Sequence, residues 1–334
     1  MRLTLAVPDL IACDRETLGS ARSLARLARY AGEPLTRHGG LDSFLVGESQ
    51  EHDAAGTAPL AALGAGFDPG AAYVLRADPV SLVAGRADVM LAARIDDLDP
   101  SEAGALIATL NAHFDHDRVV FHAPRPDAWF VTIDETPELS TTPLSAVRGS
   151  LHPHLPAGND AAKWRRWLSE MQMLLHEHPE NGAREVRRLL PVTGIWISDG
   201  GRLADVDRVS PAAIFATAGR AGDVARGLAR LAGIAAQEPP ANFASLFASP
   251  PMQDNAVVAL GPADDASLST LDRHWIDPAV TALERGALSS LRLLADGNGL
   301  AALWHAKRPT LAPRVLAKLR ARAFTPPLPD EDDA

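Results

Sequence analysis

Read as a string of apolar and polar positions, the chain changes period several times along its length. It opens with a continuous apolar run, Leu3 to Val7, that stops at Pro8 and Asp9. A short run bounded in this way predicts a buried strand ending in a polar loop. Helical spacing follows from about residue 15 to residue 30, with Leu18, Ala21, Ala25 and Ala28 on one face. Residues 32–57 show no clear period and are read as loop. The stretch "TAPLAALGAGFDPGAAY" then predicts a short helix closed by Gly64 and a turn at Asp68-Pro69-Gly70.

The middle of the chain has shorter, mixed elements. "ADVMLAARI" predicts a strand and "PSEAGALIATLNAHF" a helix, with Asp99 as N-cap, Pro100 as first residue and Glu102 completing a capping box. "RVVFHAP" and "AWFVTID" are aromatic and β-branched strand segments. From Asp160 to His178, Trp164, Trp167, Leu168, Met171, Leu174 and Leu175 recur at three- and four-residue spacing, a buried helical stripe that ends before Pro179.

Beyond residue 192 strands and helices alternate. "VTGIWIS" predicts a strand before a turn at Asp199-Gly200-Gly201, and "AAIFATAG" and "NAVVALGP" predict two more strands. "GDVARGLARLAGI" and residues 266–285 predict helices, and "LSSLRLLADGNGLAALWHA" reads as strand, Asp-Gly turn, strand. The last ten residues, 325–334, are proline-rich and acidic and are expected to be a flexible, solvated tail.

Composition narrows the classes. With 46% hydrophobic and 22% charged residues among 334, the chain can build a full core and divides naturally into about two domains. A net charge of −10 argues against nucleic acid or an anionic membrane as the main partner. The single cysteine, Cys13, excludes an internal disulfide and reads as a small buried hydrophobe. Pro8 and Asp9 interrupt the first apolar run too early for a signal peptide, and no apolar run reaches bilayer length, so a cytoplasmic location is expected.

Candidate chemistry concentrates in "HEHPENGAREVRR", residues 176–188. His176 and His178 lie two positions apart near a helix end, which points them to nearly opposite faces and disfavours a shared metal. If Asn181 caps a short helix, Arg184, Arg187 and Arg188 fall at i, i+3 and i+4 and present three guanidinium forks on one side. That arrangement suits a phosphate or carboxylate, while a solvated face paired with Glu180 and Glu185 is the plainer reading. Asp9 and Asp296 each follow an apolar strand, and strand carboxyl ends are where ligands and metals collect in open α/β sheets.

Several stretches carry a family resemblance. "LLHEHPENGAREVRRLLPVTGIWISDGG", "ARIDDLDPSEAGALIATLN", "TTPLSAVRG" and "GDVARGLARLAG" resemble, in the same order, segments of archaeal-type cofactor-independent phosphoglycerate mutases of the alkaline phosphatase superfamily. "LRADPV", "QMLLHEHP" and "GNDAAKW" are similar to features of an offshoot, the RpfE-type regulatory proteins. The resemblance implies an α/β fold: an alkaline phosphatase-like core sheet with helices on both faces, interrupted by an α+β inserted domain. The core would comprise residues 1–72 and 191–324, and the substrate-side insert residues 73–190.

Those mutases use two divalent metals, manganese or zinc, held by aspartates and histidines, with a serine that becomes phosphorylated. Carried onto this sequence, Asp9 and Asp296 match metal aspartates, but Gly297 stands where a histidine is expected and "ADDAS" has none. The serine position falls near Ala55, leaving Thr57 as the nearest hydroxyl and a weak catalytic candidate. Arg184, Arg187, Arg188, Asn181 and His178 match the substrate-side stretch. The expectation is therefore a catalytically impaired, regulatory or phospho-metabolite-binding protein with no cofactor. Its partner would be an anionic small metabolite or an acidic protein surface. The alternative is an active metal-dependent phosphoryl transferase with a rearranged site using Asp9, Asp296, Thr57 and Asp264 or Asp265. A third possibility is a protein-interaction role without a small ligand.

Overall fold

The first apolar run becomes a central strand. The computed structural model describes residues 1–46, 56–85, 88–147, 149–206, 211–248 and 255–308, with residues 324 and 327. In chain order the elements begin with β1 (Arg2–Val7), α1 (Arg15–Ser20), α2 (Arg22–Ala31), β2 (Leu35–His38), α3 (Asp42–Val46), α4 (Ala58–Ala65) and β3 (Tyr73–Ala84). Next come β4 (Val89–Arg94), α5 (Pro100–Phe114), β5 (Val120–Arg125), β6 (Ala128–Ile133), α6 (Ala161–His176), α7 (Pro179–Val186) and β7 (Gly194–Gly201). The last are β8 (Ala213–Ala216), α8 (Arg220–Leu231), α9 (Phe243–Ala248), β9 (Asn255–Ala259), α10 (Leu268–Leu271), α11 (Asp277–Arg285), β10 (Ser290–Gly297) and β11 (Leu300–Lys307). This is a mixed α/β structure with two sheets, and it divides into a unit of Met1–Glu48 with Arg208–Ala334 and a unit of Ser49–Asp207.

The first unit holds a six-stranded sheet in the order β2-β11-β10-β1-β9-β8. β1 lies between two parallel neighbours, with Val7 opposite Ala295 of β10 and Ala6 opposite Ala259 of β9. Parallel strands paired on both sides are buried on both faces, which explains the unbroken apolar runs. Leu3, Leu5 and Val7 pack with Leu291, Leu293 and Trp304 and with Leu24 and Leu27 of α2 and Leu283 of α11.

Four local readings change here. The stretch read as loop contains β2 and α3. The helix expected over residues 15–30 is two helices broken at Ala21, after the weak helix formers Gly19 and Ser20. Residues 272–276 form a π turn between α10 and α11. The β10–β11 hairpin turns on Asn298-Gly299, with φ of 55° and 81°, and not on Asp296-Gly297. Positive φ at both central residues is what a two-residue hairpin needs, and Asn-Gly meets it best. Asp296 is thereby left in the strand, opposite Ala301.

The second unit is organised by β3, a twelve-residue strand with no counterpart in the sequence reading. On one side β3 pairs with β6 through Arg76 and then with β4 from Val80; on the other it pairs with β7 from Val74 to Val80. Pro79 lacks an N–H, and its carbonyl accepts from Ile95 on the side where the ladder passes from β6 to β4. The missing donor falls in that gap. Because β7 is hydrogen-bonded to β3, "VTGIWIS" belongs to this unit, and the strand reaches Gly201 across a bulge at Asp199 and Gly200, where a turn was expected. α4 joins it too, and the unit so formed runs from Ser49 to Asp207. One face of the sheet packs against Leu106, Leu110 and Phe114 of α5 and Trp164, Trp167 and Met171 of α6. Of the tail from 325 to 334, all but Pro327 lies outside the described residues. Among the described residues, no helix is long and apolar enough to cross a membrane.

Leu5 is 0% exposed at the middle of β1. Leu5→Ala is expected to cost about 2–5 kcal/mol through lost burial and the cavity left behind. Urea denaturation followed by fluorescence checks this; an unchanged midpoint would place Leu5 outside the core.

Candidate functional site

The carboxyl edge of the first sheet gathers aspartates because β1, β9 and β10 run parallel and end together. Asp9 leaves β1 in the left-handed conformation, φ 60°, which Asp tolerates better than most residues. Its N–H donates to Asp296 Oδ1 at 2.8 Å. The other oxygen, Oδ2, accepts from the Leu41 N–H at 2.9 Å. The two aspartates that the sequence singled out are thus brought together, but through one backbone and one side chain. Burial pushes the Asp296 carboxyl above its usual range; the N–H groups of Leu41 and Asp9 pull it back, and the Asp9 charge adds to the rise.

The two alternative acids occupy the neighbouring loop. Asp264 Oδ1 accepts from Ser267 N–H at 2.7 Å, closing the turn into α10, and Asp265 Oδ1 accepts from Asp14 N–H at 2.9 Å. Cys13 is buried beside them. Burial first, then the charges of Asp265, Asp264, Asp14 and Asp9, push its thiol up to about 11.

Does this edge fit the two metals that the resemblance implies? Both Asp296 oxygens hold backbone donors. Among the described residues, no group of three or more His, Cys, Asp or Glu forms that could hold a metal ion. Gly297, in place of a histidine, has no room for any side chain: a Cβ there would stand 2.3 Å from Ala12 N and 2.9 Å from Ala12 Cβ. A two-metal centre requires a converging set of anionic and imidazole donors. The described residues do not fit one.

The arginine stretch sits in the second unit, and its local geometry differs from the expected one. α7 starts at Pro179 and is capped by His178, whose Nδ1 accepts from Glu180 N–H at 3.2 Å; its Nε2 lies 3.0 Å from Thr109 Oγ1. An accepting Nδ1 leaves Nε2 to carry the ring proton toward Thr109. Asn181 is not the cap. It is 3% exposed inside the helix, where its amide donates to Leu175 O and Val192 O and accepts from Val192 N–H.

Arg184 is 0% exposed, and its guanidinium donates to Leu190 O at 2.8 Å, to Glu102 Oε2 at 3.1 Å and to Asp97. Arg187 donates to the other Glu102 oxygen. Glu102 also accepts from Asp99 N–H, so the capping-box residue of α5 is the counter-charge for both arginines. The helix ends at Val186, and Arg188 is exposed in the left-handed conformation, φ 61°, that terminates it. Arg184 and Arg187 converge on Glu102, and Arg188 lies beyond the end of the helix.

Thr57 lies at the N-terminus of α4 and is 7% exposed; Ala55 falls outside the described residues. Before it, Gly56 presses against β7: a Cβ there would be 2.0 Å from Gly200 O. The same region holds polar residues that the sequence reading passed over. Arg76 and Asp78, on one face of β3, are 4% and 0% exposed. Arg76 Nε is 3.7 Å from Asp199 Oδ2, which also accepts from Ser198 Oγ at 3.0 Å. The signal was the alternation of charge inside "LRADPV", where arginine and aspartate two apart fall on one side of a strand.

Comparison with known proteins follows the same division. The family described as 2,3-bisphosphoglycerate-independent phosphoglycerate mutase matches residues 44–181, which fall almost wholly in the second unit and include neither Asp9 nor Asp296. No curated protein matches. Among solved structures, the cofactor-independent phosphoglycerate mutase from Thermoplasma acidophilum DSM 1728 is similar at 17% identity and a TM-score of 0.40, over 93% of this chain and 90% of that one. The PH0037 protein from Pyrococcus horikoshii is similar at 13% identity and a TM-score of 0.46, over 91% and 87%.

Two outcomes are expected from this geometry. Arg184→Ala removes the partner of two carboxylates and should destabilise the second unit by about 3–5 kcal/mol, whereas Arg188→Ala should leave the urea midpoint where it is. An Arg184→Ala protein that keeps its midpoint and loses phosphate binding would make the guanidinium a ligand group instead. For Cys13, a thiol raised to about 11 is almost wholly protonated at pH 8. Iodoacetamide should therefore label it about a hundredfold more slowly in the native protein than in urea. Equal rates would show that the thiol is neither buried nor shifted.

Proposed function

We propose that this chain is a phosphoglycerate mutase-like protein of alkaline phosphatase-like design, without metal-driven phosphoryl transfer, that acts as a regulatory or binding module. The likeness to the mutase family over residues 44–181 supports the first part. The observation that carries the second is the Asp296 carboxylate, both of whose oxygens hold backbone N–H groups at the strand edge where a metal centre would be built. Phosphoryl transfer by two metals needs anionic ligands that grip the ions and a nucleophile held in line with the phosphorus. At this edge Asp9 and Asp296 meet with both Asp296 oxygens already hydrogen-bonded to main-chain N–H groups.

An anionic partner, a small metabolite or an acidic protein surface, remains part of the proposal. Arg184 and Arg187 no longer recommend themselves as its contacts, since Glu102 and Asp97 take their charge. Arg188, exposed at the end of α7, is the one of the three outside that network.

Purified protein assayed with manganese is expected to show no interconversion of 3- and 2-phosphoglycerate, and metal analysis should find less than one ion per chain. Robust turnover that disappears in Asp9→Ala, or two tightly bound ions per chain, would establish the active transferase instead.

A further inference from the structure

The strand-end aspartates are not equivalent, and their difference points to a role for Asp296. In a metal centre both would act through their carboxylates. Here Asp9 reaches Asp296 with its main chain, and the side chain of Asp296 does the holding.

The segment it holds follows β2. Its approach is fixed by the β2–β11 ladder, with His38 opposite Leu300, and by Gly39 N–H donating to Gly299 O at 2.8 Å. The next contact is Leu41 N–H on Asp296 Oδ2 at 2.9 Å, and Leu41 is 3% exposed. α3 starts one residue later and buries Phe44, Leu45 and Val46. On the other side, Asp9 opens the short turn whose Ala12 packs against Gly297.

We propose that Asp296 is a metal-free clasp. Its two oxygens tie the end of β1 and the start of α3 to the end of β10, bringing together three segments distant in sequence. Hydrogen bonds from N–H groups to a charged acceptor are the stronger kind, and two on one carboxylate leave each donor satisfied where its strand or loop has no ladder partner. The two main-chain N–H dipoles stand toward this carboxylate where cations stand in a metal site. The role accounts for an aspartate kept in a strand with no histidine beside it.

The clasp rests on the reading that these aspartates do not serve phosphoryl transfer, yet the two fail separately: mutase turnover would remove that reading, and main-chain exchange tests the clasp. The experiment is amide hydrogen exchange by NMR on the full chain, comparing wild type with Asp296→Asn and Asp9→Asn. Asparagine at 296 keeps one acceptor and turns an NH2 donor toward the other N–H. Exchange at Asp9 or Leu41 should quicken by roughly tenfold or more, the scale of one hydrogen bond to a charged group. Asp9→Asn keeps the N–H and tolerates the left-handed backbone, so both amides should stay within about twofold of wild type. Equal effects from the two substitutions would overturn the clasp. If Asp296→Asn does not fold, wild type alone decides. Protected Asp9 and Leu41 amides that manganese does not broaden support the clasp; selective broadening at these two amides identifies a metal site and removes it.

Discussion

Everything at the carboxyl edge of the first unit depends on β1 being hydrogen-bonded on both sides by parallel strands. A strand in that position has no spare main-chain donors or acceptors, so its register with both neighbours is fixed along its whole length. Val7 is held beside Ala295, and the residues just beyond, Asp9 and Asp296, have no choice but to meet. The apolar sequence of the strands and the polar character of the edge are two sides of one constraint. What fills the sheet must be buried, and what leaves it must satisfy the groups that the ladder no longer pairs.

A second constraint governs the second unit, and it is electrostatic. Arg184 is fully buried, and a buried guanidinium persists only when carboxylates and carbonyls surround it. Glu102 answers that need while also closing the first turn of α5, so one carboxylate joins two helices. Residues that look like a ligand's landing place are then consumed by the fold. The same chemistry that makes arginine a good phosphate binder makes it a good internal fastener, and burial is what separates the two uses.

That is also why the fold was more legible than the site. Periodicity gave β1, α5 with its capping box, and the tryptophan stripe of α6, because each is a local pattern expressed in consecutive residues. β3 escaped notice since Arg76, Asp78 and Pro79 break every local rule for a buried strand, and only the long-range pairing with β7 explains them. The meeting of Asp9 with Asp296 was readable from two apolar runs each ending in an aspartate. Its form was not, because which atom of Asp9 does the bonding depends on a single left-handed φ. The direction of the three arginines was equally hidden: their spacing is written in the sequence, but the end of α7 at Val186 and the counter-charge at Glu102, more than eighty positions upstream, are not local to it.

Gly297 carries a consequence for the history open to this chain. With φ of 153° and Ala12 N 2.3 Å from where its Cβ would be, the position admits only glycine until the turn at residues 10–12 moves. A histidine codon at 297 would therefore arrive before the space for its side chain existed, and the turn would have to be rebuilt in the same step. Single substitutions can wander freely over the exposed surface of this unit. At its carboxyl edge they meet backbone first, and an imidazole at 297 fits only together with a rebuilt turn at residues 10–12.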